Sequence, residues 1–218
     1  NQSSTISLEF INDKKSKKQL LGCKPKDTFK LDPKKIIREK LIVEDASYEF
    51  DVGKLRKKLL LMKIEERITD PQAALNLSEE AFKLFFIERN KVDFFPSVLD
   101  ELEKLSKKYV LGCLTNGNAN IKMIGIEEFF KFNISSKDVK ANKPSENHFH
   151  EAQKLLDVNR DEILHIGDHP VNDMQGAIDY GFKALWFNPN KEVWNLEGLE
   201  KPPEFFSWIG VTEKIDCL

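Results

Sequence analysis

The chain has 218 residues, with 34 Lys or Arg against 36 Asp or Glu and 40% apolar residues. Such a length and apolar share suit one substantial core or two small ones and exclude a disordered chain, while a net charge of −2 disfavours a general polyanion binder. No apolar run reaches the roughly 20 residues that span a bilayer. Residues 1–18 lack the apolar segment of a leader, and Cys23, Cys113 and Cys217 form neither a metal pattern nor a disulfide framework, so the expectation is a soluble, cytoplasmic protein.

Residues 1–63 carry 16 Lys or Arg against 9 Asp or Glu, leaving 18 against 27 in the remainder. The near-neutral total therefore averages a basic first part and an acidic second. The first part reads as all-helical. Asp32 caps and Pro33 opens a helix through Ile36, Ile37 and Leu41, and Val52, Leu55, Leu59 and Met62 then repeat at helical spacing. Ser78 caps a third segment, whose Ala81, Phe82, Phe85 and Phe86 make one apolar face ending near Asn90. From Phe94 onward short apolar runs alternate with amphipathic helices, the pattern of strand-helix-strand units around a parallel sheet. The spacing predicts a helix through Val98, Leu99, Leu102 and Leu105, then a strand from Tyr109 to Leu114 ending in Thr115-Asn116-Gly117-Asn118. A helix around Ile126, Phe129 and Phe130, a strand from Phe132 to Ser135 and a helix from Asn147 to Leu156 follow. A strand from Ile163 to Gly167 runs into Asp168 and Asp173, before a helix through Ala177 stopped by Gly181 and a strand from Lys183 to Asn188. Residues 1–91 thus read as a helical module and residues 92–218 as an α/β, Rossmann-like core.

In open parallel sheets ligands bind beyond the carboxyl ends of the strands. Thr115 and Asn116 follow one strand with a hydroxyl, an amide and a glycine-permitted turn, all able to present donors to an anion. Asp168 and Asp173 follow another with two carboxylates in one loop, the oxygen chemistry of a hard cation such as Mg²⁺. Lys143-Pro144 heads a helix, where the ammonium can neutralise a phosphate or carboxylate. Each feature alone is an ordinary turn, cap or helix start; their order along alternating strands and helices is what points to a site. Among the other polar residues, His165 reads as strand packing, His169 as a solvated loop histidine, and His148 and His150 as exposed on the Lys143 helix. Cys113 reads as an inert strand residue and the basic run Lys14 to Lys18 as a solvated face.

The segments VLGCLTNGN, ANKPSENHFHEA and HIGDHPVNDMQGA resemble the second, third and fourth motifs of the haloacid dehalogenase-like hydrolase superfamily. FFPSVLDELEKLSKKY resembles its approach helix, and the preceding helical residues resemble a cap inserted between the first two motifs. The likeness is nearest to bacterial phosphatases of flavin mononucleotide and phosphoribityl-aminouracil. It implies a phosphomonoester hydrolase working through an aspartyl-phosphate and Mg²⁺ on a small phosphorylated metabolite, without nucleic acid or membrane partners, as a monomer or homodimer. Thr115 and the Asn116 backbone N–H would bind phosphoryl oxygens, and Lys143 would hold the nucleophile and the transferring group. Asp168 would bind Mg²⁺ directly, and Asp173 through water or by orienting that shell. The halide-releasing members need no metal, so the two loop aspartates favour phosphatase over dehalogenase.

The family's first motif, an Asp-x-Asp supplying nucleophile and acid/base, occurs nowhere in the 218 residues. Asp13, Asp27 and Asp32 are isolated in Lys-rich surroundings. The expectation is a sequence that begins after that motif, with Thr5 to Leu21 the remainder of an opening helix, and a chain that does not turn over substrate as written. The alternatives are an inactive phosphometabolite-binding or scaffold protein, and a haloacid dehalogenase.

Overall fold

The computed structural model describes Leu41 and residues 44–218 in full and, of the remainder, the backbone of Thr5–Ser7 and Thr28–Lys30. Those two segments, β1 (Thr5–Ser7) and β2 (Thr28–Lys30), pair antiparallel with Ile6 opposite Phe29. The expectation of an exclusively helical first part, with Thr5 at the start of a helix, is corrected here. Both triplets contain β-branched or aromatic residues, which suit extended backbone. The helix expected from Asp32 lies outside the described residues apart from Leu41, as does the run Lys14 to Lys18.

The chain divides into two compact units, Asn1–Lys91 and Val92–Leu218. In the first, α1 (Val52–Glu65) opens on Asp51, whose carboxylate accepts from the Lys54 N–H. Helix α2 (Pro71–Arg89) opens on Asp70, which accepts from the N–H groups of Gln72 and Ala73, with Pro71 in the first position. Ser78 is therefore not a cap. It is buried inside α2 and its hydroxyl donates to the Leu75 carbonyl at 2.8 Å, because Asp70-Pro71 is a stronger opening pair upstream. Leu55, Leu59, Leu60 and Ile64 of α1 meet Ala74, Leu77, Ala81 and Phe82 of α2 in one apolar core.

The second unit runs α3 (Val98–Lys108), β3 (Gly112–Thr115), α4 (Ile121–Ile124), β4 (Phe132–Ser135), α5 (Ser136–Val139), α6 (Asn147–Leu156) and β5 (Leu164–Gly167). A wide π-helical turn (Pro170–Gln175) then leads into α7 (Gly176–Tyr180), followed by β6 (Lys183–Phe187), β7 (Glu204–Phe205) and α8 (Val211–Ile215). The strand expected from Tyr109 starts at Gly112, since the Tyr109 N–H still closes α3 on the Leu105 carbonyl. Around Ile126 there is no full helix. Gly125, at φ 84°, ends α4, and a 3₁₀ turn Glu127–Phe129 follows.

β3 lies parallel to β4 with Thr115 opposite Ser135, β5 parallel to β6 with Gly167 opposite Trp186, and β6 parallel to β7. β6 is the centre of the core. Its Ala184 and Trp186 pack with Phe149, Met174 and Ala177, whereas Leu185 and Phe187 pack with Leu105, Phe205 and Val211. This is the alternation of a strand buried on both faces, with helices above and below. Helix α8 is fastened to α3 by the buried Glu101 carboxylate, which accepts from the N–H and hydroxyl of Thr212 at 2.9 and 2.6 Å.

Among the described residues β3 pairs with β4 alone and β5 with β6 alone. A cavity of about 840 Å³ is lined by Cys113 and Leu114 of β3 and by Leu164, Ile166 and Gly167 of β5. β5 is consequently half-buried at every position, while its neighbour β6 is buried from Ala184 onward. No helix among the described residues is long and apolar enough to cross a membrane.

Candidate active site

The polar residues read from the sequence gather at the strand ends of the second unit. Lys143 is their hub. Its buried ammonium donates to the Leu114 carbonyl of β3 at 3.0 Å and to Asp173 Oδ1 at 2.5 Å, so it ties the end of β3 to the loop after β5. Asn116 fixes the main chain around it: its side-chain oxygen accepts from the Lys143 N–H at 2.7 Å and its side-chain nitrogen donates to the Lys143 carbonyl at 2.9 Å. The Ser136 hydroxyl, fully buried at the start of α5, donates to the same Asn116 oxygen at 3.3 Å. Thr115 Oγ1 accepts from the Gly117 N–H at 2.9 Å, which turns the loop and leaves the hydroxyl proton to donate elsewhere.

Both carboxylate oxygens of Asp173 are engaged. Oδ1 accepts from Lys143 and, at 3.2 Å, from His165 Nε2; Oδ2 accepts from the His169 N–H at 3.0 Å. Gly167 permits this arrangement, since a Cβ there would stand 2.4 Å from the Asp173 Cγ. Burial opposes ionisation of Asp173, but the hydrogen bond from His165 and the charge of Lys143 outweigh it and hold the carboxyl far below the usual range. Burial likewise pushes the His165 imidazole below its ordinary value, only partly countered by Asp173. A neutral His165 with its proton on Nε2 is the state that donates to the carboxylate.

Asp168 differs from Asp173 in every respect. Its side chain is exposed at the end of β5 and has no partner among the described residues, while its carbonyl accepts from Trp186 Nε1 at 2.9 Å across the β5–β6 pair. Mg²⁺ demands a near-octahedral set of oxygens. Asp168 offers a free carboxylate to such an ion, the Asp173 oxygens are engaged by Lys143, His165 and the His169 N–H, and among the described residues no three His, Cys, Asp or Glu side chains converge on one point. The described residues alone do not complete a cation site.

One histidine departs from the sequence reading. His148, expected to be exposed, is fully buried, and its Nε2 lies 3.3 Å from the Thr115 carbonyl. The cue was present in the helical register, because His148 shares a face with Phe149 and Ala152, both buried. His165 packs edge-on against Phe149, as expected of a strand residue, and in addition donates to Asp173. His169 is a cap: its Nδ1 accepts from the N–H groups of Val171 and Asn172. Ser136 had no motif to announce it.

Lys143 and the Thr115 loop thus lie together in a Rossmann-like core, and the sequence comparison gives the class. The profile described as haloacid dehalogenase-like hydrolase matches residues 39–187, and the chain belongs to that family. It is 35% identical over 101 residues to the 5-amino-6-(5-phospho-D-ribitylamino)uracil phosphatase YigB of Escherichia coli, covering 46% of this chain and 42% of that protein. It is 32% identical over 121 residues to (S)-2-haloacid dehalogenase 2 of a Pseudomonas species, covering 53% of this chain and 52% of that one. The matches span about half the length of these curated relatives. Among solved structures, a 2-haloacid dehalogenase from Pseudomonas syringae superposes with a TM-score of 0.76 at 32% identity, over 86% of this chain and 83% of that one.

Proposed function

We propose that the protein is a Mg²⁺-dependent phosphatase of small phosphorylated metabolites, of sugar phosphate, nucleotide or flavin mononucleotide type. It works through an aspartyl-phosphate whose nucleophile lies outside these 218 residues. The observation that carries this reading is the Lys143 ammonium, held between the Leu114 carbonyl and Asp173 next to the Thr115 loop. Phosphoryl transfer asks mainly for positioning and charge neutralisation. In this reading the Thr115 hydroxyl and the Asn116 N–H donate to phosphoryl oxygens, Lys143 offsets their charge, and Asp173 keeps Lys143 aimed. Asp168 is the one direct Mg²⁺ ligand drawn from these residues. Residues 1–91 act as the substrate-selecting cap, the protein works in the cytoplasm as a monomer or homodimer, and neither nucleic acid nor membrane is a partner.

The cavity between β3 and β5 supports a nucleophile carried on a further strand. It offers apolar walls from two strands whose facing edges are unpaired among the described residues. The likeness to YigB supports the phosphatase class, and the exposed Asp168 supports metal dependence. The similarity to the Pseudomonas syringae dehalogenase favours a second reading, in which the same cation offsets the carboxylate of a 2-haloacid. The deciding experiment uses the protein expressed from its natural start, with p-nitrophenyl phosphate plus Mg²⁺ in one assay and L-2-chloropropionate in the other. Mg²⁺-stimulated phosphate release without chloride release is expected. Metal-independent chloride release would establish the dehalogenase instead, and silence in both assays would leave a binding or scaffold protein.

A further inference from the structure

We propose that His148 is a positioning residue that aims the Asn116 backbone N–H into the anion site by holding the Thr115 carbonyl. The inference rests on the phosphate-binding reading of the Thr115 loop and adds to it a residue outside the loop. His148 sits in the first turn of α6 with no solvent exposure, and its Nε2 approaches the Thr115 carbonyl oxygen at 3.3 Å. A carbonyl only accepts, so the ring must donate from Nε2. Nδ1 is buried without a hydrogen-bond partner. It is therefore the unprotonated nitrogen, since a proton there would strand a second donor. Burial pushes the ring's pKa down to about 4, which keeps this neutral form across the physiological range.

The consequence passes through one peptide plane. The Thr115–Asn116 bond is trans, the Lys143–Pro144 bond being the cis peptide among the described residues. In a trans peptide the C=O of one residue and the N–H of the next point in opposite directions. Holding the Thr115 oxygen toward α6 thus turns the Asn116 N–H away from α6. The β3–β4 pairing reaches Thr115, opposite Ser135, and His148 adds a hold on its carbonyl from α6. The Asn116 side chain is occupied with the Lys143 main chain, and the Thr115 hydroxyl with Gly117. A purely packing role for His148 would be served by any apolar side chain of similar size, with no donor aimed at the Thr115 carbonyl.

The test follows the Asn116 amide in a ¹⁵N–¹H correlation spectrum of the 218-residue chain during titration with inorganic phosphate. Wild type should show a downfield shift of that amide proton on saturation. His148→Leu should fold but lose most of that shift and bind phosphate about tenfold more weakly, the worth of one hydrogen bond to a charged group. His148→Gln, which retains a donor, should recover much of both. An equal shift and affinity in His148→Leu would overturn the positioning role while leaving the phosphate site intact. A wild-type amide that ignores phosphate would overturn both readings. Should His148→Leu not fold, the wild-type imidazole ¹⁵N shifts decide: a proton on Nε2 is required, and one on Nδ1 rules the role out.

Discussion

The two units bury polar groups in opposite ways. In the first, the buried polar side chains among the described residues are Ser78 and Asn90, which donate to the carbonyls of Leu75 and Phe86 within one helical turn. In the second, Lys143, Asp173 and His148 are bonded to residues 29 to 33 positions away, and Glu101 to Thr212 at a separation of 111. Local satisfaction follows automatically from forming α2. Long-range satisfaction forms only when the whole unit is assembled, and a buried ion pair is a poor way to gain stability, because desolvation offsets most of the attraction. The proposed site lies among these long-range groups of the second unit, whereas the helical pair of the first follows a packing logic.

The strongest way to break this contrast is Asp173→Ala. It leaves the Lys143 ammonium buried without its counter-charge, and a loss of about 3–5 kcal/mol in denaturant unfolding is expected. Leu60→Ala in the first unit should cost about 2–5 kcal/mol by leaving a cavity between α1 and α2. Unlike Asp173→Ala, it should leave phosphate binding by the second unit untouched; weakened binding would mean that the two units are not separable in this way.

Acid sharpens the same comparison. His148 and His165 are held neutral by burial, with His148 brought from an ordinary 6.5 to about 4. The unfolded chain therefore takes up protons first as pH falls. Stability from these residues is complete above pH 6.5 and lost as pH drops towards 4, with Asp173 adding its own loss in stronger acid because its carboxyl is depressed. The melting temperature should fall across that interval, and His148→Leu should be flatter than wild type. An unchanged slope would show that His148 is not buried as described. The smallest structural effect belongs to Asp168→Asn, exposed and unpartnered, which should stay within about 0.5 kcal/mol of wild type. In the protein carrying its nucleophile the same change should abolish Mg²⁺-dependent turnover, and retained turnover would remove Asp168 from the metal site.

Much of this was legible in the sequence because periodicity and strand-end polarity are local signals. The apolar run along Lys183 to Phe187 and the order Thr115, Lys143, Asp168, Asp173 needed no knowledge of tertiary contacts. The misses share a cause. Ser78 was read as a cap because Ser favours caps, yet Asp70-Pro71 starts the helix earlier. His148 was read as exposed because a polar residue on a helix usually is, and only the carbonyl of Thr115, distant in sequence, rewards its burial. Spacing also does not reveal that the close approach over Gly167 turns Asp173 towards Lys143. Which of two neighbouring carboxylates faces the solvent is decided by packing, and packing is not written in spacing.

The central claim is that the Thr115 loop and Lys143 form a site for a phosphoryl anion. Calorimetric titration of inorganic phosphate into the 218-residue chain tests it directly, with Thr115→Val removing the donor hydroxyl at nearly constant shape and Thr115→Ser restoring it. The account predicts about tenfold weaker binding for Thr115→Val, near-wild-type binding for Thr115→Ser, and for Thr115→Val a melting temperature lowered only by the loss of the Gly117 hydrogen bond, about 1 kcal/mol. Equal affinity in wild type and Thr115→Val, or no binding by wild type, would contradict it.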